Sequence, residues 1–155
     1  MRSINIAIDV DGSPSGYVSW YNHFYNKSKI RVLRPSIKYE RYGVQRMEML
    51  AVYFAILDNL KGIKKLKRRK KTIIVRSDSK STIEQLNNRS GIRDDILRRI
   101  HSSITRVLAK VSCNLIFYHL NRTYNMAGKI LENIRKDRMY SKERSIINQF
   151  EIIQY

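Results

Sequence analysis

An α/β fold is what this chain's hydrophobic periodicity predicts: a mixed five-stranded sheet with helices on both faces. Three observations carry it. Three short alternating segments with tight turns open the chain, the apolar period then lengthens to that of a helix, and two later apolar strands are separated by further helical stretches.

Residues 4–10, INIAIDV, set Ile4, Ile6, Ile8 and Val10 against Asn5, Ala7 and Asp9, the period-two pattern of a half-buried strand. Asp11 falls at its end on the face of Asp9, and Gly12-Ser13-Pro14-Ser15-Gly16 reads as a turn. Segments 17–25 and 29–39 read as two more strands joined by Asn26-Lys27-Ser28, completing an antiparallel meander. From 44 to 60, Met47, Leu50, Ala51, Phe54, Ile56 and Leu57 form the broad apolar face of a helix. The run TIIVRS at 72–77 is short, apolar and β-branched, as expected of a strand covered on both faces. A brief helix over 79–86 and a turn over 87–91 follow. A long helix over 92–110 then turns Ile96, Ile100, Ile104, Val107 and Leu108 inward. Residues 111–120 form the last strand and 124–138 a helix. A further helix is expected over 142–153, so residues 1–140 make one domain and 141–155 a C-terminal helical extension of it.

Composition narrows the partners. Lys and Arg number 31 against 13 Asp and Glu, a net charge of +18, which favours a polyanion and above all nucleic acid. No apolar run approaches the ~18–20 residues that cross a bilayer, so no membrane partner is expected. An acid interrupts the N-terminal apolar stretch before a signal-peptide core forms, and Cys113 stands alone; both fit a cytoplasmic protein.

Acids are scarce, so their settings are informative. Asp11 ends the first strand in Val10-Asp11-Gly12-Ser13, Glu48 lies early in the first long helix in Arg46-Met47-Glu48-Met49-Leu50-Ala51, and Asp78 closes the fourth strand in Arg76-Ser77-Asp78-Ser79. If the first and fourth strands are parallel neighbours, Asp11 and Asp78 reach the same sheet edge, where ligand sites of α/β proteins gather. Converging carboxylates repel unless cations or raised pKa values neutralise them, and such oxygen-rich sites suit Mg²⁺ or Mn²⁺ rather than Zn²⁺. Asp9, on the face of Asp11, is either a further acid of that site or a partner for one of the many Arg residues.

The order of elements, together with these three motifs, resembles ribonuclease H of type I over roughly residues 4–138. The resemblance implies the RNase H-like fold and metal-dependent endonuclease activity on the RNA strand of an RNA–DNA hybrid, or on structured RNA. It assigns Asp11, Glu48 and Asp78 as metal ligands for Mg²⁺ or Mn²⁺, and His119 as a residue assisting proton transfer or product release. For His119 a local strand-end hydrogen bond is an equal reading.

The pattern breaks at the fourth acid. The family places an Asp early in its last helix. Here the ungapped position is Lys129, and Gly128 takes it if one loop residue is missing. Neither is a carboxylate; Glu132, one turn further on, is the nearest substitute. The alternative function is therefore a catalytically impaired RNA-binding protein of the same fold, riding on the ribosome or another large ribonucleoprotein.

Nucleic-acid contacts are expected from Arg46, Arg98, Arg99 and Arg122, and from the basic segment 61–71. That segment contains Lys64, Lys65, Lys67, Arg68, Arg69 and Lys70, with Ile63 and Leu66 as a short apolar pin. At ~1.5 Å rise per residue it lies roughly 20 Å from Glu48, at the opposite pole, where it suits a second grip on nucleic acid. Arg34, Lys38 and Arg41 are further expected to approach the duplex, and Tyr39, Tyr42 and Tyr124 are either stacking contacts or packing residues.

Overall fold

The alternation of Ile6, Ile8 and Val10 produces the central strand of the sheet, with all three side chains fully buried. The structure, a computed structural model, describes residues 3–33, 43–66, 70–140 and 150–151. Strand β1 (Ser3–Gly12) pairs antiparallel with β2 (Tyr17–Asn22), and β2 antiparallel with β3 (Lys27–Leu33). Helix α1 (Gly43–Lys64) leads to β4 (Lys70–Ser77), parallel to β1 with Val10 opposite Ser77. Helices α2 (Lys80–Leu86) and α3 (Asp95–Leu108) precede β5 (Asn114–His119), which is parallel to β4. A 3₁₀ turn, Arg122–Tyr124, enters α4 (Met126–Tyr140). The expected mixed sheet thus has the order β5-β4-β1-β2-β3, and a two-residue β6 (Phe150–Glu151) adds parallel to β3.

That last pairing corrects one expectation. Phe150 and Glu151 are strand residues opposite Val32 and Leu33, not part of a helix over 142–153, because the edge of β3 offers backbone partners there. The rest of that span lies outside the described residues, as do 34–39 at the end of the third predicted strand.

Residue parity sorts the two faces. Ile6, Ile8, Val10, Val18, Trp20, Leu33, Ile73 and Val75 face α1, which is buried nearly all round because α3 packs on its far side. Leu57, expected on the buried face, is instead partly exposed. Polar ties fix α1 to the meander: Trp20 Nε1 donates to Asp58 Oδ2 at 2.8 Å, Arg31 pairs with Asp58, and Asn22 Nδ2 donates to Asn59 Oδ1 at 2.8 Å. On the opposite face, Tyr17 and Val32 pack against Leu131 and Ile134 of α4, and Ser19 Oγ donates to the Ala127 carbonyl at 2.8 Å. Helix α4 packs on β1 and β2. Thr72, Ile74 and Arg76 are consequently half-buried and Ile116 and Tyr118 exposed, so β4 is fully covered on one face only, contrary to expectation.

Arg46 also departs from its reading as a nucleic-acid contact. It is 2% exposed and forms a bidentate pair with Asp94, Nε and Nη2 each 2.7 Å from a carboxylate oxygen. The same Asp94 caps α3 by accepting from the Leu97 N–H at 3.0 Å. The hydrogen bonds from Arg46 are the chief reason the Asp94 carboxyl lies below its ordinary pKa. Breaking a buried pair strands a charge, so Arg46→Ala should cost about 3 kcal/mol or more, read as a lower midpoint in urea unfolding.

Candidate metal centre and nucleic-acid face

The site begins with a glycine. A Cβ at Gly12 would overlap the Met47 carbonyl group and the Glu48 nitrogen, so only glycine lets the end of β1 lie against the backbone of α1. That approach brings Glu48, from the second turn of the helix, to Asp11. The parallel β1–β4 ladder then delivers Asp78, just past Ser77, to the same edge. One carboxylate oxygen from each of Asp11, Glu48 and Asp78 lies within 4.8 Å of the others.

Three acids this close, with burial, resist ionisation. Burial and then the Asp78 charge raise Asp11 from its ordinary 3.8 to about 6, although the Glu48 hydrogen bond, Arg122 and the Gly12 N–H pull the other way. Glu48 is 6% exposed, and burial followed by the Asp11 and Asp78 charges pushes it well above its usual range. Its Oε2 has no hydrogen-bond partner among the described residues. A buried carboxylate with one unsatisfied oxygen, set beside two other acids, fits a hard divalent cation, which would supply a partner and the compensating charge.

Neighbouring groups hold the acids in place. Asn125, fully buried, donates from Nδ2 to the Val10 carbonyl at 3.0 Å and to Asp78 Oδ2 at 3.2 Å. Its Oδ1 accepts from the N–H groups of Ala127 and Gly128. This one amide ties together β1, Asp78 and the start of α4. The sequence offered only an Asn immediately before a helix as the signal for this work. Asp9 resolves as an ion-pair partner. Wholly buried, it takes Arg76 Nε at 2.6 Å, His23 Nε2 at 2.9 Å and the Met126 N–H at 3.0 Å, and it does not join the three-acid cluster.

His119 ends β5 opposite Ser77, exposed, with Nε2 3.2 Å from the Asp78 carbonyl oxygen. A carbonyl only accepts, so Nε2 carries the proton and Nδ1 is the basic nitrogen of the neutral ring. A built Cβ at Gly128 would lie 3.4 Å from Asp11 Oδ2, which makes Gly128 the position facing the acids. Lys129 lines the adjoining cavity of about 360 Å³, with Asp11, Arg122, Thr123, Glu132 and Arg135.

The predicted nucleic-acid residues spread over two regions. Arg122 stands exposed beside Asp11, and Arg98 and Arg99 are exposed on α3, Arg98 pairing with Asp95. Tyr124, 70% exposed, also lies at this edge. Lys64, Lys65 and Lys70 are exposed at the other end of the sheet, about 25 Å from Asp78 by the ~3.3 Å rise of β4. Ile63 is buried and Leu66 packs against the core, and Lys71 is also buried, donating to the Ile63 carbonyl at 2.7 Å. Lys67, Arg68 and Arg69 lie outside the described residues, as do Arg34, Lys38, Tyr39, Arg41 and Tyr42. No described helix is long and apolar enough to cross a membrane.

No protein-family profile matches the chain, and neither does any curated protein. Solved structures do. LC11-RNase H1, crystallised with an RNA/DNA hybrid, is 17% identical with a TM-score of 0.64, over 88% of this chain and 99% of its own. RNase H1 of the halophilic archaeon Halobacterium salinarum is 16% identical with a TM-score of 0.62, over 88% and 99%. An N-terminal RNase H domain from Mycobacterium tuberculosis, solved fused to maltose-binding protein, is 14% identical with a TM-score of 0.60, over 83% and 95%. The chain has the RNase H-like fold.

The raised acids carry a linkage sign. A carboxyl whose folded pKa exceeds its unfolded value favours folding when protonated, so its contribution is present at low pH and lost as pH rises. In EDTA, stability should fall between about pH 4 and pH 6 as Asp11 ionises, and Glu48 should extend the fall above that. Asp11→Asn should then stabilise the metal-free protein at pH 7.5 by about 1–2 kcal/mol, measured by urea unfolding.

Proposed function

We propose that this protein is a metal-dependent nuclease that hydrolyses the RNA strand of RNA–DNA hybrids. The carrying observation is the cluster of Asp11, Glu48 and Asp78, with the buried Glu48 Oε2 left without a partner among the described residues. The RNase H-like fold, the +18 charge and a structural neighbour solved with an RNA/DNA hybrid support the substrate class.

The three carboxylates would hold Mg²⁺ or Mn²⁺. Bound there, the ion supplies a Lewis acid for the phosphate and a water acidified enough to act near neutral pH. The protein's own groups do the rest. Asn125 fixes the Asp78 carboxylate, and Gly12 keeps Glu48 against Asp11. Arg122 offers a cation to the strand beside Asp11. His119, held through Nε2, presents Nδ1 to accept a proton and later return one at the same edge. Arg98 and Arg99, further along that side, contact the backbone of the duplex and add a salt-sensitive share of affinity.

A labelled hybrid should be cut in Mg²⁺ or Mn²⁺ to products with 3′-hydroxyl and 5′-phosphate ends, and not in EDTA. Asp78→Asn should lower the rate by about 100-fold or more, since the ion's share of transition-state stabilisation is several kcal/mol. Hybrid bound tightly yet left intact in both metals would replace this reading with a binding-only protein of the same fold.

A further inference from the structure

The cavity beside Asp11 is lined by cations where phosphodiester chemistry with paired ions would need a second acid. Two ions in such chemistry sit about 3.5–4 Å apart, so both draw on the same central carboxylate. On the open side of Asp11, the position that faces its Oδ2 is Gly128, which has no side chain to offer. The next groups lining that space are Arg122, Lys129 and Arg135, with Glu132 as the one other acid. The charge of Arg122 already acts on Asp11. A dication placed there would share Asp11, find Glu132 as the one other acid among the lining groups, and face three like charges on exposed side chains.

We infer, on the reading proposed above, that this chain holds a single divalent ion, on Asp11, Glu48 and Asp78, and that Arg122, Lys129 and Arg135 occupy the role of a second ion by receiving a phosphate of the bound strand in the adjoining cavity. The cavity, about 360 Å³ and open to solvent, is roomy enough for a phosphate group. A guanidinium or ammonium can neutralise phosphate oxygens there without needing a carboxylate of its own.

The test counts ions. Equilibrium dialysis of the whole chain against Mn²⁺, with bound metal quantified by elemental analysis, should give one ion per chain. Gly128→Asp, whose carboxylate would stand beside Asp11, should give two, and the neutral control Gly128→Asn should stay at one. Two ions on the unaltered protein would overturn the inference while leaving the nuclease reading intact; none would remove both. A folded Gly128→Asp protein that stays at one ion would also overturn it. Should that variant fail to fold, the ion count on the unaltered protein alone decides. The phosphate assignment is read separately in EDTA. Lys129→Gln combined with Arg135→Gln should weaken hybrid binding several-fold and reduce its salt dependence by about two counterions. Unchanged affinity would remove the cavity from the binding surface.

Discussion

The close approach of β1 to α1 at Gly12 is the constraint from which the candidate centre follows. Sheet and helix backbones meet there with no room for a single methyl group, and the Glu48 carboxylate reaches Asp11 only because they do. Neither acid gains from the meeting by itself. Burial and mutual repulsion push both toward the neutral form, so the arrangement costs stability unless something else offsets it. The offset comes from the large core that α1 shares with the sheet and α3, and from Asn125, which ties β1, Asp78 and α4 with one buried amide. A cation bound among the acids would turn that local liability into affinity.

Much of this was legible because it depends on short-range pattern. The alternation of Ile6, Ile8 and Val10 specifies which face of β1 is buried, and parity then sends Asp9 and Asp11 to the other. Likewise, the change to helical period after Val44 locates α1, and the β-branched run ending at Ser77 locates the strand before Asp78. Those three decisions already bring the acids to one edge. The less legible features all depend on partners distant in sequence. Arg46 looked like a free surface cation; only the placement of α3 reveals that Asp94 claims it. Asp9 could have joined the cluster, but Arg76 and His23 arrive from β4 and the turn after β2 to take its oxygens. The strand at Phe150–Glu151 is two residues long and owes its existence to the open edge of β3, which no local pattern announces.

Position 128 shows the same limit from the other side. Counting residues from His119 allows either Lys129 or Gly128 to stand where an acid was expected. What decides between them is where α4 starts, and Asn125 sets that start by capping the N–H groups of Ala127 and Gly128. With the helix begun at Met126, residue 128 turns toward Asp11 and Lys129 toward the cavity. A cap, not a spacing, determines which side chain meets the centre.

Charge is distributed to match this division of labour. The acids lie at the ends of β1 and β4 and early in α1, while Lys64, Lys65 and Lys70 cluster about 25 Å away at the opposite sheet edge. At that separation, more than twice the screening length of ~10 Å in 0.1 M salt, the distal cations have almost no influence on the acids. In the proposed function their effect would be on the polyanion as a whole, raising its affinity without competing for a metal. Arg122 and Lys129, close to Asp11, are in the opposite position. In the proposed function they would draw phosphate toward the carboxylates and at the same time weaken the carboxylates' hold on cations. Under the inferred single-ion centre, the proximal charges would limit how many ions the site holds, and the distal ones would govern how tightly a bound strand is kept.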